Sequence, residues 1–117
     1  MTIKLPGILM LCSTCAAMAL SGGAHAVDAE AAEALAKRNN CFKCHGKEKP
    51  KSGPSLKSIA DKYKGKEAEA EPKLIKHMTT GPKVKLLDEG SEQDHKIIDT
   101  KDTAEMKNLI QWIFSFK

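Results

Sequence analysis

Aromatic side chains are scarce in this chain: its 117 residues include one Trp, one Tyr and three Phe. Arginine is scarcer still, with Arg38 alone among the lysines. Beyond residue 26 there is no apolar run long enough to cross a bilayer and no sustained strand-like alternation, and only two cysteines remain. Each shortage excludes something. A nucleic-acid binder would cluster arginine and expose aromatics, whereas here acids are interspersed among lysines. Without period-two alternation an all-β fold has no pattern to rest on. A domain of this size buries only about 60 to 65 % of its unfolded surface, so with few aromatics something else is expected to fill its core.

What is present begins with a leader. Lys4 supplies a positive charge and Leu5 to Leu20 is apolar except for Pro6, Gly7, Ser13 and Thr14. Ala24-His25-Ala26 then fits the small-x-small pattern of a signal peptidase site. The run is short for a membrane anchor, so residues 1–26 are expected to be a cleaved signal peptide. Cys12 and Cys15 lie inside the run and would leave with it. The chain that remains, residues 27–117, is expected to be one exported domain. Removing the leader takes away Lys4 and no acid, which lowers the net charge from +4 to +3.

Four stretches read as helix, giving an all-α class. The first runs from Ala29 to Asn39 with Asp28 as N-cap. The second is Ser55 to Tyr63, stopped by Gly65. The third is Ala68 to Thr79, where Pro72 must sit in the first turn or reset the start. Gly81-Pro82 ends it. Lys83 to Lys101 reads as an extended polar loop. In the last helix Asp102 and Glu105 make a capping-box-like start, and Met106, Leu109, Ile110, Trp112, Ile113 and Phe116 form a broad apolar stripe.

Cys41-Phe42-Lys43-Cys44-His45 matches Cys-x-x-Cys-His, the attachment signature of c-type haem. Two thiols three positions apart on the first turn of a helix can each add to a vinyl group of the same porphyrin, and the adjacent imidazole then reaches the iron. A zinc site would want a second ligand pair, and a thioredoxin-like site a βαβ setting. Both are missing. A structural disulfide between Cys41 and Cys44 is the remaining alternative.

From Asp28 onward the chain resembles the small bacterial class I cytochromes c, the cytochrome c-551/c-552 group. After the Cys41 to His45 motif, Gly53-Pro54-Ser55-Leu56 is similar to that family's Gly-Pro segment. Ile59 to Gly65 is similar to its second helix, Leu74 to Gly81 to its third and Leu109 to Ile113 to its last. The resemblance implies a cytochrome c fold of about four helices around one covalent haem. It also implies that the Pro54 carbonyl accepts a hydrogen bond from His45. The family's distal ligand is a Met in the loop before the last helix, but no Met lies between Pro82 and Asp102. His95 stands there instead. His77, Met78 and an open site are the alternatives: Met78 and Met106 read as core residues and His77 as a surface residue.

The resemblance implies a one-electron carrier that is not an enzyme, with His45 as an iron ligand. The leader places it in the periplasm, and the departure from the family's Met gives the expectation of His95 as the second ligand and a low potential. Lys43, Lys47 and Lys49 would orient docking to acidic redox partners. Nucleic acid and stable membrane attachment are not expected, and the protein would be a monomer or weak dimer. The competing expectation is a gas-binding haem protein with a vacant or exchangeable distal position, and a haem subunit of a larger complex is a third.

Overall fold

In the computed structural model, which describes residues 26–117, Asp28 starts the first helix by accepting the Ala31 N–H at 2.9 Å. Cys12, Cys15 and the rest of the expected leader up to His25 lie outside the described residues. Helix α1 spans Ala29–Arg38 and closes on Asn39 as C-cap. Asn40 then takes a left-handed conformation (φ 56°), which asparagine tolerates better than most residues. That turn delivers the chain into a single 3₁₀ turn, Cys41–Lys43. The attachment motif therefore occupies one isolated turn and not the start of a longer helix.

Helix α2 is Leu56–Tyr63, with the Ser55 hydroxyl accepting from Ser58 N–H at 3.1 Å. Helix α3 is Glu67–Thr80. Pro72 is its sixth residue, not part of its first turn as the sequence suggested. The carbonyl left without a donor is that of Ala68, and both residues are exposed. Water can satisfy that carbonyl, which is why the helix runs through the proline. Gly81, left-handed at φ 60°, ends α3.

The segment after Gly81 corrects the expected extended loop. Strands β1, Lys83–Lys85, and β2, Glu92–Asp94, pair antiparallel with Lys83 opposite Asp94. Gly90, at φ 71°, lets the connection close, and Gly90 N–H reaches Leu86 O at 2.9 Å. Neither strand buries a face, so no alternation marks them in the sequence.

Helix α4, Thr103–Phe114, begins on Asp102, whose side chain accepts from Ala104 N–H at 2.8 Å. Glu105 does not reach back to the Asp102 N–H. That N–H donates to the Thr100 hydroxyl at 3.0 Å, and the hydroxyl donates to Glu105. The capping box works through a relay.

Helix α4 packs against α1, α2 and α3. Alanines 32 and 36 let α1 approach closely, while Asn108 exchanges two 2.9 Å hydrogen bonds with the Asp28 backbone. Leu35, Leu56, Met106, Leu109 and Trp112 form the centre of the core. Among the described residues the architecture is all-α apart from the short hairpin. Among the described residues no helix is long and apolar enough to cross a membrane.

Candidate haem-binding site

The helices leave one side of the core uncovered. A cleft of about 1150 Å³ opens there, lined by Cys41, Cys44, His45, His77, Met78 and His95 among others. This exceeds the range of about 300–1,000 Å³ usual for small-molecule pockets. Side chains packed against the core but only partly covered, Ile59, Met78 and Ile113, line this cleft and leave apolar surface for a large group.

On one wall the 3₁₀ turn holds the motif. His45 N–H and Cys44 N–H both donate to Cys41 O, at 2.9 and 3.2 Å. Lys51 Nζ donates to Phe42 O at 2.6 Å. Cys41 and Cys44 are half-buried free thiols, not a disulfide. Burial pushes the Cys41 thiol up, which keeps it protonated at neutral pH.

His45 is fixed by its neighbours. Its Nδ1 lies 2.7 Å from Pro54 O. A carbonyl can only accept, so Nδ1 carries the proton and the Nε2 lone pair is free for a metal. Gly53 leaves room for the ring: a Cβ there would come within 2.8 Å of His45 Cε1. Gly53 N–H in turn donates to Cys44 O at 2.9 Å.

His95 stands on the opposite wall, directly after β2, and is half-buried. Its backbone N–H extends the hairpin ladder to Pro82 O at 2.8 Å, so it is pinned rather than carried on a loose loop. Its Nδ1 lies 2.9 Å from the Lys96 carbonyl, which again leaves Nε2 free. The His45 and His95 ring centroids are 6.1 Å apart, with their planes at 49°. Two imidazoles on opposite sides of one metal, each through a bond of about 2.0–2.1 Å, hold their ring centres about 6 Å apart. The observed separation is close to that value.

His77 faces the same space instead of lying on the surface as read from the sequence. Its ring centroid is 4.3 Å from that of His95. Burial pushes His77 below the ordinary imidazole value, with His45 adding to the effect. Burial also lowers His95, helped by His77 and opposed by the bond to Lys96 O. Both are therefore neutral at pH 7, as a ligating imidazole must be. Met78 lines the cleft but also packs against the core, and its carbonyl accepts from Ile98 N–H at 2.9 Å.

Sequence reading missed Asn39 and Asp99, which join the segments carrying His45 and His95. A polar residue beside the motif was the one available signal, and it does not name its partner.

A turn bearing two thiols and an imidazole, facing a second imidazole across an apolar cleft, defines a c-type haem protein. The cytochrome c family profile matches residues 29–117. Among solved structures, the class 1 cytochrome MtoD from Sideroxydans lithotrophicus ES-1 is 54 % identical with a TM-score of 0.72. That match covers 78 % of this chain and 98 % of MtoD. Nitrosomonas europaea cytochrome c552 is 32 % identical with a TM-score of 0.57, over 73 % of this chain and 99 % of that one. No curated protein matches the chain. The chain belongs to the cytochrome c family. The family binds one haem c, with its iron, covalently through the Cys-x-x-Cys-His motif, which here is Cys41 to His45.

Proposed function

We propose that this protein is an exported, periplasmic one-electron carrier, with Cys41 and Cys44 as the thioether residues and His45 and His95 as the iron ligands. The observation that carries this reading is the pairing of the two imidazoles at 6.1 Å. Each has Nδ1 committed to a carbonyl and Nε2 free. When bound, the haem supplies an iron that alternates between ferric and ferrous states.

The chain's own groups set the conditions. Pro54 O orients His45 and raises its basicity. An imidazole at His95 donates more strongly than a thioether and favours ferric iron, so the potential falls below that of a His/Met relative. If His45 and His95 both held the iron, no ligand position would be left for a substrate, which supports a carrier rather than an enzyme. The position of His95 within the cleft weighs against a gas-binding role.

Lys43 and Lys49, exposed beside the attachment turn, would orient docking to acidic surfaces of redox partners. Lys47 is less free, because it lies 3.3 Å from Glu33 and over the Phe42 ring. Docking through exposed lysines weakens as salt rises. A weak, transient interface suits rapid turnover, and a monomer or weak dimer is sufficient.

Low-temperature electron paramagnetic resonance of the oxidised protein tests the ligand pair. The expected result is a low-spin bis-imidazole signal, and a high-spin or His/Met signal overturns the assignment. Mass spectrometry of the exported protein is expected to find residues 27–117 plus one haem. A mass equal to the polypeptide alone would remove the thioethers.

A further inference from the structure

We infer that Asn39 and Asp99 form a clasp between the segment that carries the cysteines and the segment that carries His95, and that it sets how firmly the distal imidazole is held. The inference rests on His95 as the distal ligand. Asn39 lies two residues before Cys41 and is 3 % exposed. Asp99 lies four residues after His95.

The Asn39 amide makes three hydrogen bonds. Its Nδ2 donates to Leu35 O at 3.0 Å and to Asp99 Oδ1 at 2.9 Å. Its Oδ1 accepts the Asp99 backbone N–H at 2.9 Å. The Asn39 side chain is thus anchored to α1 and grips both the backbone and the carboxylate of Asp99. From outside, Arg38 Nε donates to Asp99 Oδ2 at 2.9 Å and its second nitrogen reaches Oδ1 at 3.4 Å.

The location of these bonds gives them a specific role. Other backbone bonds of the distal segment run to its own side of the cleft, from His95 to Pro82 and from Ile98 to Met78. Asn39 instead ties this segment to the stretch that carries the cysteines and His45. Where His95 leaves the iron by a shift of residues 95–99, the clasp opposes that shift. A buried amide stripped of its partner is costly, so the bonds give up little until they break together. Asn39 is a positioning residue: it acts on His95 through the backbone and does not reach the iron.

The test uses the haem-loaded protein and carbon monoxide binding to its reduced form, which requires His95 to depart. Asn39→Leu removes the clasp and is expected to speed binding about tenfold, the scale of one hydrogen bond to a charged group. Asp99→Asn keeps an acceptor for Asn39 and the backbone N–H but loses the charge pair with Arg38. It is expected to stay within about twofold of wild type, as for a surface change. Leu109→Val loosens the core without removing a hydrogen bond of the clasp and is expected to leave the rate unchanged.

If Asn39→Leu does not mature with haem, Asp99→Ala, which removes the carboxylate acceptor, carries the test with the same direction. Wild-type rates in Asn39→Leu and Asp99→Ala overturn the inference, as does an equal acceleration in Leu109→Val. If the wild-type protein lacks a bis-imidazole resonance signal, the ligand reading itself falls and the inference with it. A bis-imidazole signal with unchanged rates in the clasp variants removes the clasp alone.

Discussion

Gly53 and His45 are in such close contact that the glycine's missing side chain is part of the ring's environment. A Cβ at Gly53 would lie 2.8 Å from His45 Cε1 and 3.1 Å from Nδ1, inside van der Waals contact. Gly53 is needed here for space and not for an unusual φ. The same loop places Pro54 O on Nδ1, so ring position and hydrogen bond depend on one backbone path.

Gly53→Ala is therefore expected to push the imidazole off Pro54 O and weaken its donation to ferric iron. Loss of a partner that orients a metal ligand typically costs about 10-fold or more in metal affinity. A tenfold loss of preference for the ferric state is about 59 mV for one electron. Redox titration of the variant should find the potential raised by about that amount, and an unchanged potential would show that the ring accommodates the methyl group.

His95→Met restores the ligand type that the family resemblance implies at this place. It is expected to raise the potential by on the order of 0.1 V, within the span of about 0.8 V that axial ligands control. His95→Ala should leave the distal position open, giving a high-spin ferric spectrum and rapid carbon monoxide binding when reduced. If the absorption spectrum of His95→Ala matches the parent, another residue is the ligand. His77, 4.3 Å away, would be the first to examine.

Ile110 is completely buried and also lines the cleft, so it joins the protein core to the surface that meets the macrocycle. Ile110→Ala removes apolar contacts on both sides. The expected loss is about 2–5 kcal/mol, read from urea denaturation of the haem-loaded protein. Lys107, one helical turn away and exposed, is a suitable control, and Lys107→Ala should shift the same curve by at most about 0.5 kcal/mol.

Asp99 gives the protein a specific response to acid. Arg38, and after it Asn39, holds its carboxyl below the ordinary carboxylate value of 3.8. Because the folded value is depressed, the stabilisation is fully present above the unfolded value and disappears as pH falls through the folded one. Wild-type stability should therefore decline below about pH 4 more steeply than that of Asp99→Asn. Denaturation midpoints measured from about pH 5 down to pH 2 check this. Parallel curves for the two proteins would show that the Arg38–Asp99 pair contributes nothing to the acid response.

The comparison between sequence and structure is clearest at the motif and at the hairpin. Cys41, Cys44 and His45 were legible because their chemistry needs a spacing that one turn of chain supplies. The helix starts at Asp28 and Asp102 were legible for a similar reason: a cap bonds to an N–H two or three residues away. The apolar stripe of α4 needed only its own periodicity. The class of fold and the cofactor followed from these local rules together with the family resemblance.

Tertiary structure decided the rest. Strands β1 and β2 have no buried face, so their pairing left no pattern in the residues. His77 read as a surface side chain because helical spacing alone cannot tell which side of α3 faces a cleft. The partnership of Asn39 with Asp99 joins positions 60 apart, and nothing in either neighbourhood names the other. Interactions within a turn are set by bond geometry and can be read along the chain. Those between segments exist only after packing has brought distant residues within 3 Å, which is why the motif could be read from the letters and the environment of its opposite wall could not.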